Sequence, residues 1–207
     1  VGIAPVDGIV RAAASGIGNV LMVIGAETGR DGLGGATFSS VDNPEESHRG
    51  VIQVGNPFLE KQLMEACLAL LKTDAVVAMQ DLGAAGLTSS AVECASRGGV
   101  GIDIDVTHVP RREEGLTPYE IMLSESQERM LLVCAPERVD EVIHMLEHWS
   151  LSASDIGEIT DDGLVRVREG DEVVCEVPVA LFIDECPTYH VVATEPEAAR
   201  QRRSVQI

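Results

Sequence analysis

The chain has 207 residues, 45% of them hydrophobic, enough to bury one substantial core, so a single domain with extensions is expected. Acidic residues outnumber basic ones 34 to 15, for a net charge of −19 with only Lys61 and Lys72 as lysines, which argues against a nucleic-acid partner. No apolar run approaches the ~20 residues of a membrane span, and the N-terminus lacks the charged lead-in and apolar core of a signal peptide.

Cys67, Cys94, Cys134, Cys175 and Cys186 form no CxxC pair and sit mostly in apolar runs, the usage of reduced core thiols in a cytoplasmic protein. The chain opens on Val1 rather than Met, which reads as a piece of something longer. Residues 1–19 form a small-residue lead-in too short to fold alone, and Val20 to Gly25 is a buried strand. The loop from Ala26 to Ser40 follows. With Gly25 just before it, it carries glycines at 29, 32, 34 and 35 and offers backbone N–H groups to a phosphate. It has neither a GxxxxGK[ST] nor a correctly spaced GxGxxG pattern, so a long loop whose Arg30 and Asp31 pair with each other or with neighbouring strands is the competing reading.

A polar, acidic loop spans Val41 to Gly50, and Val51 to Val54 is a short strand that points Gln53 out of its end. Asn56-Pro57 starts a helix by cap and first-turn proline, with Phe58, Leu59, Leu63, Cys67, Leu70 and Leu71 at helical spacing. The stretch from Asp74 to Ser90 is the most informative. An apolar run, Ala75 to Met79, breaks at Gln80-Asp81 into a Gly/Ala loop that opens another helix. Asp81 thus stands where a strand stops, a place that suits a hard cation such as Mg²⁺, although an Asp capping the following helix fits the same pattern.

That helix ends at Arg97-Gly98-Gly99. The strand from Gly101 to Val106 alternates, with Asp103 and Asp105 on one face, a solvated face in preference to a metal site at this net charge. After a charged loop from Val109 to Gly115, Thr117 and Glu120 form a capping box. Polar residues from Ser124 to Arg129 then stand directly before the apolar strand Met130 to Cys134. Such packing is costly unless the side chains reach ligand or water, and Glu125, Ser126 and Gln127 suit a ribose and an amide. An ordinary helix-to-strand connector is the alternative.

The helix from Pro136 to Trp149 contains His144-Met145-Leu146-Glu147-His148, an HxxEH string. Both histidines project opposite the apolar stripe, toward solvent, which disfavours a catalytic zinc. Strands from Ser152 to Thr160 and Leu164 to Arg168 are joined by the hairpin signal Asp161-Asp162-Gly163, and a third runs from Glu172 to Val177. Residues 181–207 read as a linker or tail.

The strings GAETGRDGLGGATFSS, VIQVGNPFLEKQLMEACLALL, QDLGAAGLTSS, VPRREEGLTPYEIMLSESQERML and IGEITDDG, in this order and spacing, closely resemble phosphoribosylformylglycinamidine synthases, the ATP-dependent amidotransferases of purine synthesis. Residues 20–180 look like the first of two carboxyl-type domains of the aminoimidazole ribonucleotide synthetase type in that duplicated enzyme. The resemblance implies an α+β fold, a three-layer α/β/α sandwich with a mixed sheet that is partly ferredoxin-like. It implies that Gln53, Glu125, Ser126 and Gln127 contact formylglycinamide ribonucleotide, that Asp81 is a Mg²⁺ ligand, and that ATP is the co-substrate. Partners would be the missing domains of the same chain, a glutaminase subunit and a small accessory subunit. Asn56 stands where Asp is expected, and either residue caps a helix. The family's catalytic histidine lies in a missing amino-terminal domain, so the chain alone is expected to be inactive. A noncatalytic acidic interaction domain, a related superfamily enzyme and a zinc hydrolase are the alternatives.

Overall fold

The computed structural model describes residues 3, 5–35 and 53–203. Seven strands, β1 (Val20–Gly25), β2 (Val76–Asp81), β3 (Gly101–Asp105), β4 (Arg129–Cys134), β5 (Ser152–Thr160), β6 (Leu164–Glu169) and β7 (Glu172–Pro178), form one sheet in the order β2-β4-β1-β5-β3-β6-β7. Every pairing is antiparallel except β3 with β6, so the sheet is mixed. The helices are α1 (Pro57–Leu70), α2 (Gly86–Gly98), α3 (Pro118–Leu123), α4 (Val139–His148), α5 (Val179–Ile183) and α6 (Glu197–Arg203).

The central strands are apolar on both faces because both faces are covered. Leu21 and Val23 of β1, with Leu131 and Val133 of β4, join the cluster that holds Leu87, Ala91 and Ala95 of α2. Their alternate neighbours Met22, Ile24, Leu132 and Cys134 join Leu63, Ala66 and Leu70 of α1 and Val142 and Leu146 of α4. Period-2 side-chain alternation thus feeds two cores from the same strands, and three layers result. The architecture expected from the sequence, α+β with a mixed sheet between helices, is the one observed.

Asn56 caps α1 as expected, its Oδ1 accepting from the N–H groups of Phe58 and Leu59 at 3.2 Å each. Phe58, the first residue of the apolar spacing read along this helix, is 72% exposed. Cys94 and Cys134 are buried, Cys67 and Cys175 half-buried, Cys186 exposed, and all five are free. Burial pushes the thiols of Cys67, Cys94 and Cys134 up to about 11, which keeps them protonated at neutral pH.

Three expectations need correction or restriction. The Asp161-Asp162-Gly163 turn does not join a paired hairpin, because β3 lies between β5 and β6. The start of β3 passes close under that turn. A Cβ on Gly101 would lie 2.4 Å from Asp162 Oδ1 and from Thr160 Oγ1 and 2.8 Å from the backbone nitrogen of Leu164, which no rotamer change can relieve. The Asp103 face is ion-paired rather than simply solvated: its carboxylate takes Arg168 Nε at 2.8 and 3.0 Å and Arg166 Nη1 at 3.3 Å, both from the parallel neighbour β6. Of the strand expected at 51–54, Val51 and Ile52 lie outside the described residues, as do 36–50, while Gln53 and Val54 belong to no helix or strand.

His144 and His148 are exposed on α4, as their helical phase predicts, and His144 Nδ1 lies 2.7 Å from the Asp140 carbonyl of its own helix.

Candidate functional site

β2 ends on Asp81, and α2 begins at Gly86 after a four-residue loop. Asp81 does not cap that helix. The N-cap is Ala85, in the left-handed region at φ 58°, and no side chain caps the helix. The Asp81 carboxylate is exposed and has no hydrogen-bond or ion-pair partner among the described residues. It lines a cavity of about 560 Å³ together with Gln53, Glu125 and Gln127. Leu63, Met64 and Leu68 of α1 form the apolar side of the same cavity.

Three segments far apart in sequence are tied together at Glu125, which is 5% exposed. Its Oε1 accepts the N–H of Ala85 at 3.0 Å, which the left-handed turn of Ala85 aims at it, and its Oε2 accepts from Gln53 Nε2. Gln127 Nε2 donates to Gln53 Oε1 at 3.0 Å and to the Glu125 carbonyl at 2.9 Å. The predicted residues Gln53, Glu125 and Gln127 therefore form one hydrogen-bonded chain along the cavity wall. Gly32 packs against the Glu125 and Gln53 pair, since a Cβ there would come within 2.6 Å of the Glu125 Cβ and 3.1 Å of Gln53 Nε2.

Ser126 is placed differently. It is fully buried, and its hydroxyl accepts the Gly29 N–H at 2.9 Å and contacts the Asp31 carboxylate. Ser124, also buried, donates to the Gly29 carbonyl at 2.6 Å, and the Glu125 N–H donates to the Asp31 carbonyl at 2.8 Å. These contacts stitch the glycine-rich loop to the 124–126 turn. Arg30 and Asp31 pair not with each other but with the charged loop and α3: Arg30 Nε lies 2.8 Å from Glu120 Oε1 and its Nη1 3.2 Å from Glu113, while Asp31 pairs with Arg112. The Thr117–Glu120 capping box forms as the sequence predicts. The Arg30 contact and the capping hydrogen bonds from Thr117 hold the Glu120 carboxyl down at about 2.

Sequence reasoning did not single out Arg129, Glu128 or Thr28. Arg129 is 3% exposed and lines the cavity beneath the 124–126 turn. Desolvation pulls its guanidinium down to about 10, which leaves it charged at neutral pH. Glu128, at φ 56°, accepts the Asn56 N–H at 2.8 Å on its carboxylate and so anchors the entry to α1 three residues beyond Gln53. The run of polar residues ahead of β4 was the available signal for all of these, since each either belongs to that run or bonds to it.

Among the described residues the lining is acidic: Glu60, Asp81, Glu125 and Glu128 stand against a single cation, Arg129. A phosphate-bearing ligand would enter it only with its own counter-charge. Asp81 suits that need as a lone hard oxygen ligand, since Mg²⁺ is commonly held by one or two carboxylates and completed by phosphate and water. Among the described residues no group of three or more His, Cys, Asp or Glu side chains could hold a metal unaided.

A polar wall built from three segments beside a mixed sheet covered on both faces marks an α+β domain with a candidate ligand cavity. Residues 16–170 match the AIR synthase related protein, C-terminal domain family, and the chain belongs to it. It is 61% identical over 204 residues to the phosphoribosylformylglycinamidine synthase subunit PurL of Thermomicrobium roseum, an alignment that takes in 99% of this chain and 28% of that subunit. Its structure is similar to that of T. maritima PurL complexed with FGAR, with a TM-score of 0.86 and 36% identity over 92% of this chain and 32% of that one. T. maritima PurL complexed with ATP matches with a TM-score of 0.79 and 34% identity, over 92% and 30% of the two chains. The chain thus spans about a third or less of the length of these relatives.

Proposed function

We propose that this chain serves as the substrate-holding carboxyl-type domain of a longer, cytoplasmic phosphoribosylformylglycinamidine synthase. Residues 20–180 form the domain, and 1–19 and 181–207 lead toward flanking parts of the same polypeptide. The synthase converts formylglycinamide ribonucleotide to the amidine: ATP phosphorylates the amide oxygen, and ammonia from a glutaminase subunit displaces phosphate, with a small accessory subunit completing the assembly. The observation that carries this reading is the convergence of Gln53, Asp81, Glu125 and Gln127 on one cavity from segments separated by up to 74 residues.

Gln53 and Gln127 present amide groups that can donate to and accept from the ribose and the substrate amide, and Glu125 supplies a carboxylate held in place by two N–H groups. Ser126 backs this wall by fixing the glycine-rich loop behind it. Together they orient the amide for in-line attack. Asp81 would hold Mg²⁺, which when bound neutralises charge on the transferring phosphoryl group. The similarity to PurL chains complexed with FGAR and with ATP supports the reading of this chain as part of such a synthase.

The test is ammonia-dependent amidine formation by the full-length synthase carrying this domain, compared with its Glu125→Ala variant and with the 207-residue chain alone. Activity in the first, a severe loss in the second and none in the third is expected. Full activity in the variant would remove Glu125 from the substrate wall, and activity of the chain alone would contradict its role as one part of the catalytic unit.

A further inference from the structure

We infer that Arg129 is a positioning residue of the substrate wall: its buried guanidinium clamps the two peptide carbonyls on either side of Glu125 to Thr28 at the root of the glycine-rich loop. The inference rests on the reading of the cavity given above. Arg129 Nε donates to the Ser126 carbonyl at 2.9 Å, Nη2 to the Ser124 carbonyl at 2.5 Å and Nη1 to Thr28 Oγ1 at 2.9 Å. Among the described residues no carboxylate lies within ion-pair distance of it. The nearest compensation is the field of Asp31, opposed by that of Arg112.

A buried charge satisfied only by neutral oxygens is an expensive way to fill space, because an apolar side chain of similar size would pack there without the desolvation cost. What the guanidinium offers instead is a rigid fork of donors that fixes several acceptors at once, which lysine cannot reproduce. The acceptors are the point. Ser124 and Ser126 flank Glu125, whose own N–H is fixed to the Asp31 carbonyl at 2.8 Å. With the peptide before Glu125 and the peptide after Ser126 both held by Arg129, the Glu125 side chain is directed to Ala85 and Gln53, and Gln127 follows it onto the cavity wall. Thr28 extends the clamp to a third segment, since its N–H donates to the Pro110 carbonyl at 2.8 Å and its carbonyl accepts from Arg112 at 3.0 Å. A change at Thr28, which is itself fully buried, should therefore be felt as misplacement of Glu125 and Gln127.

The test uses the full-length synthase carrying this domain, with Arg129→Lys, Thr28→Val and Thr28→Ser as clamp variants and Gln127→Ala as a direct-contact control. The affinity for formylglycinamide ribonucleotide is measured by calorimetry, with KM for both substrates, kcat and melting temperature alongside. Arg129→Lys and Thr28→Val are expected to weaken ribonucleotide binding and raise its KM about tenfold or more, the loss of a hydrogen bond to a charged group. The KM for ATP should stay near wild type, and Thr28→Ser, which keeps the acceptor, should restore ribonucleotide affinity. If Arg129→Lys and Thr28→Val only lower the melting temperature while Gln127→Ala weakens binding, Arg129 is merely structural and the inference is overturned. If Gln127→Ala itself leaves binding unchanged, the substrate-wall reading falls and takes the inference with it.

Discussion

Gly86→Ala is the most discriminating perturbation of the frame that carries the site. Gly86 sits at φ 52°, and a Cβ built there would lie 1.9 Å from the carbonyl oxygen and 2.9 Å from the carbonyl carbon of Ser124. Both are backbone atoms, so no rotamer change relieves the overlap. Two costs add. Holding a non-glycine residue in the left-handed region costs ~1–2 kcal/mol. Forcing a methyl group into a packed contact costs a further ~1–3 kcal/mol. Gly163→Ala separates them, since Gly163 has φ 69° and nothing within 4 Å of its would-be Cβ. That variant should show only the first cost. Gly86→Ala should therefore melt lower than Gly163→Ala by about 2–12 °C, taking 2–4 °C per kcal/mol for a chain of this size. Thermal unfolding followed by circular dichroism of the two variants side by side gives the comparison. Because the displaced carbonyl adjoins Glu125, Gly86→Ala should also lose ligand binding in the full synthase while Gly163→Ala keeps it. Equal melting temperatures would refute the claim that the turn before α2 is wedged against the 124–126 turn.

Other outcomes follow from the same geometry. Asn56→Ala removes the cap of α1 and should cost about 1 kcal/mol, read from urea unfolding. Leu146→Ala, in the core between α4 and the sheet, should cost ~2–5 kcal/mol by the same assay. For pH dependence, the folded-state carboxyl of Glu120 lies at about 2, below its ordinary value of 4.5. Its stabilisation is fully present above about pH 4.5 and is lost as pH falls through about 2. The gap in melting temperature between wild type and Glu120→Gln should therefore narrow steadily across that interval. A gap that stays constant down to pH 2 would show that the Arg30 contact contributes nothing to the folded state.

What the sequence disclosed and what it hid divide by distance along the chain. The termination of β2 at Asp81, the Asn56 cap and the Thr117–Glu120 box are written within a few residues, in turn chemistry and periodicity, and all appear in the structure. The cost of six polar residues before a buried strand also pointed locally to the Glu125 turn. The insertion of β3 between β5 and β6 was not legible, because Asp161-Asp162-Gly163 specifies a reversal and says nothing about which strand fills the gap. The same holds for Arg129, whose meaning depends on Thr28, 101 residues away, and for the placement of Ser126 behind the wall, where its hydroxyl meets Gly29 97 residues off. Asp81 illustrates the middle case. Its position was clear from sequence, but only the left-handed Ala85 cap removed the helix-capping alternative.

The central claim, that the Asp81 end of the cavity is where a divalent cation and the ribonucleotide meet, is tested most directly by the Mg²⁺ dependence of amidine formation. The full synthase is assayed with ammonia as wild type and as Asp81→Asn, across a range of Mg²⁺ concentrations at saturating ATP. The account predicts low activity in the variant at ordinary Mg²⁺, with its activation curve displaced to higher Mg²⁺ and partial recovery in excess. Superimposable activation curves would contradict it and leave Asp81 as an exposed carboxylate at the end of a strand.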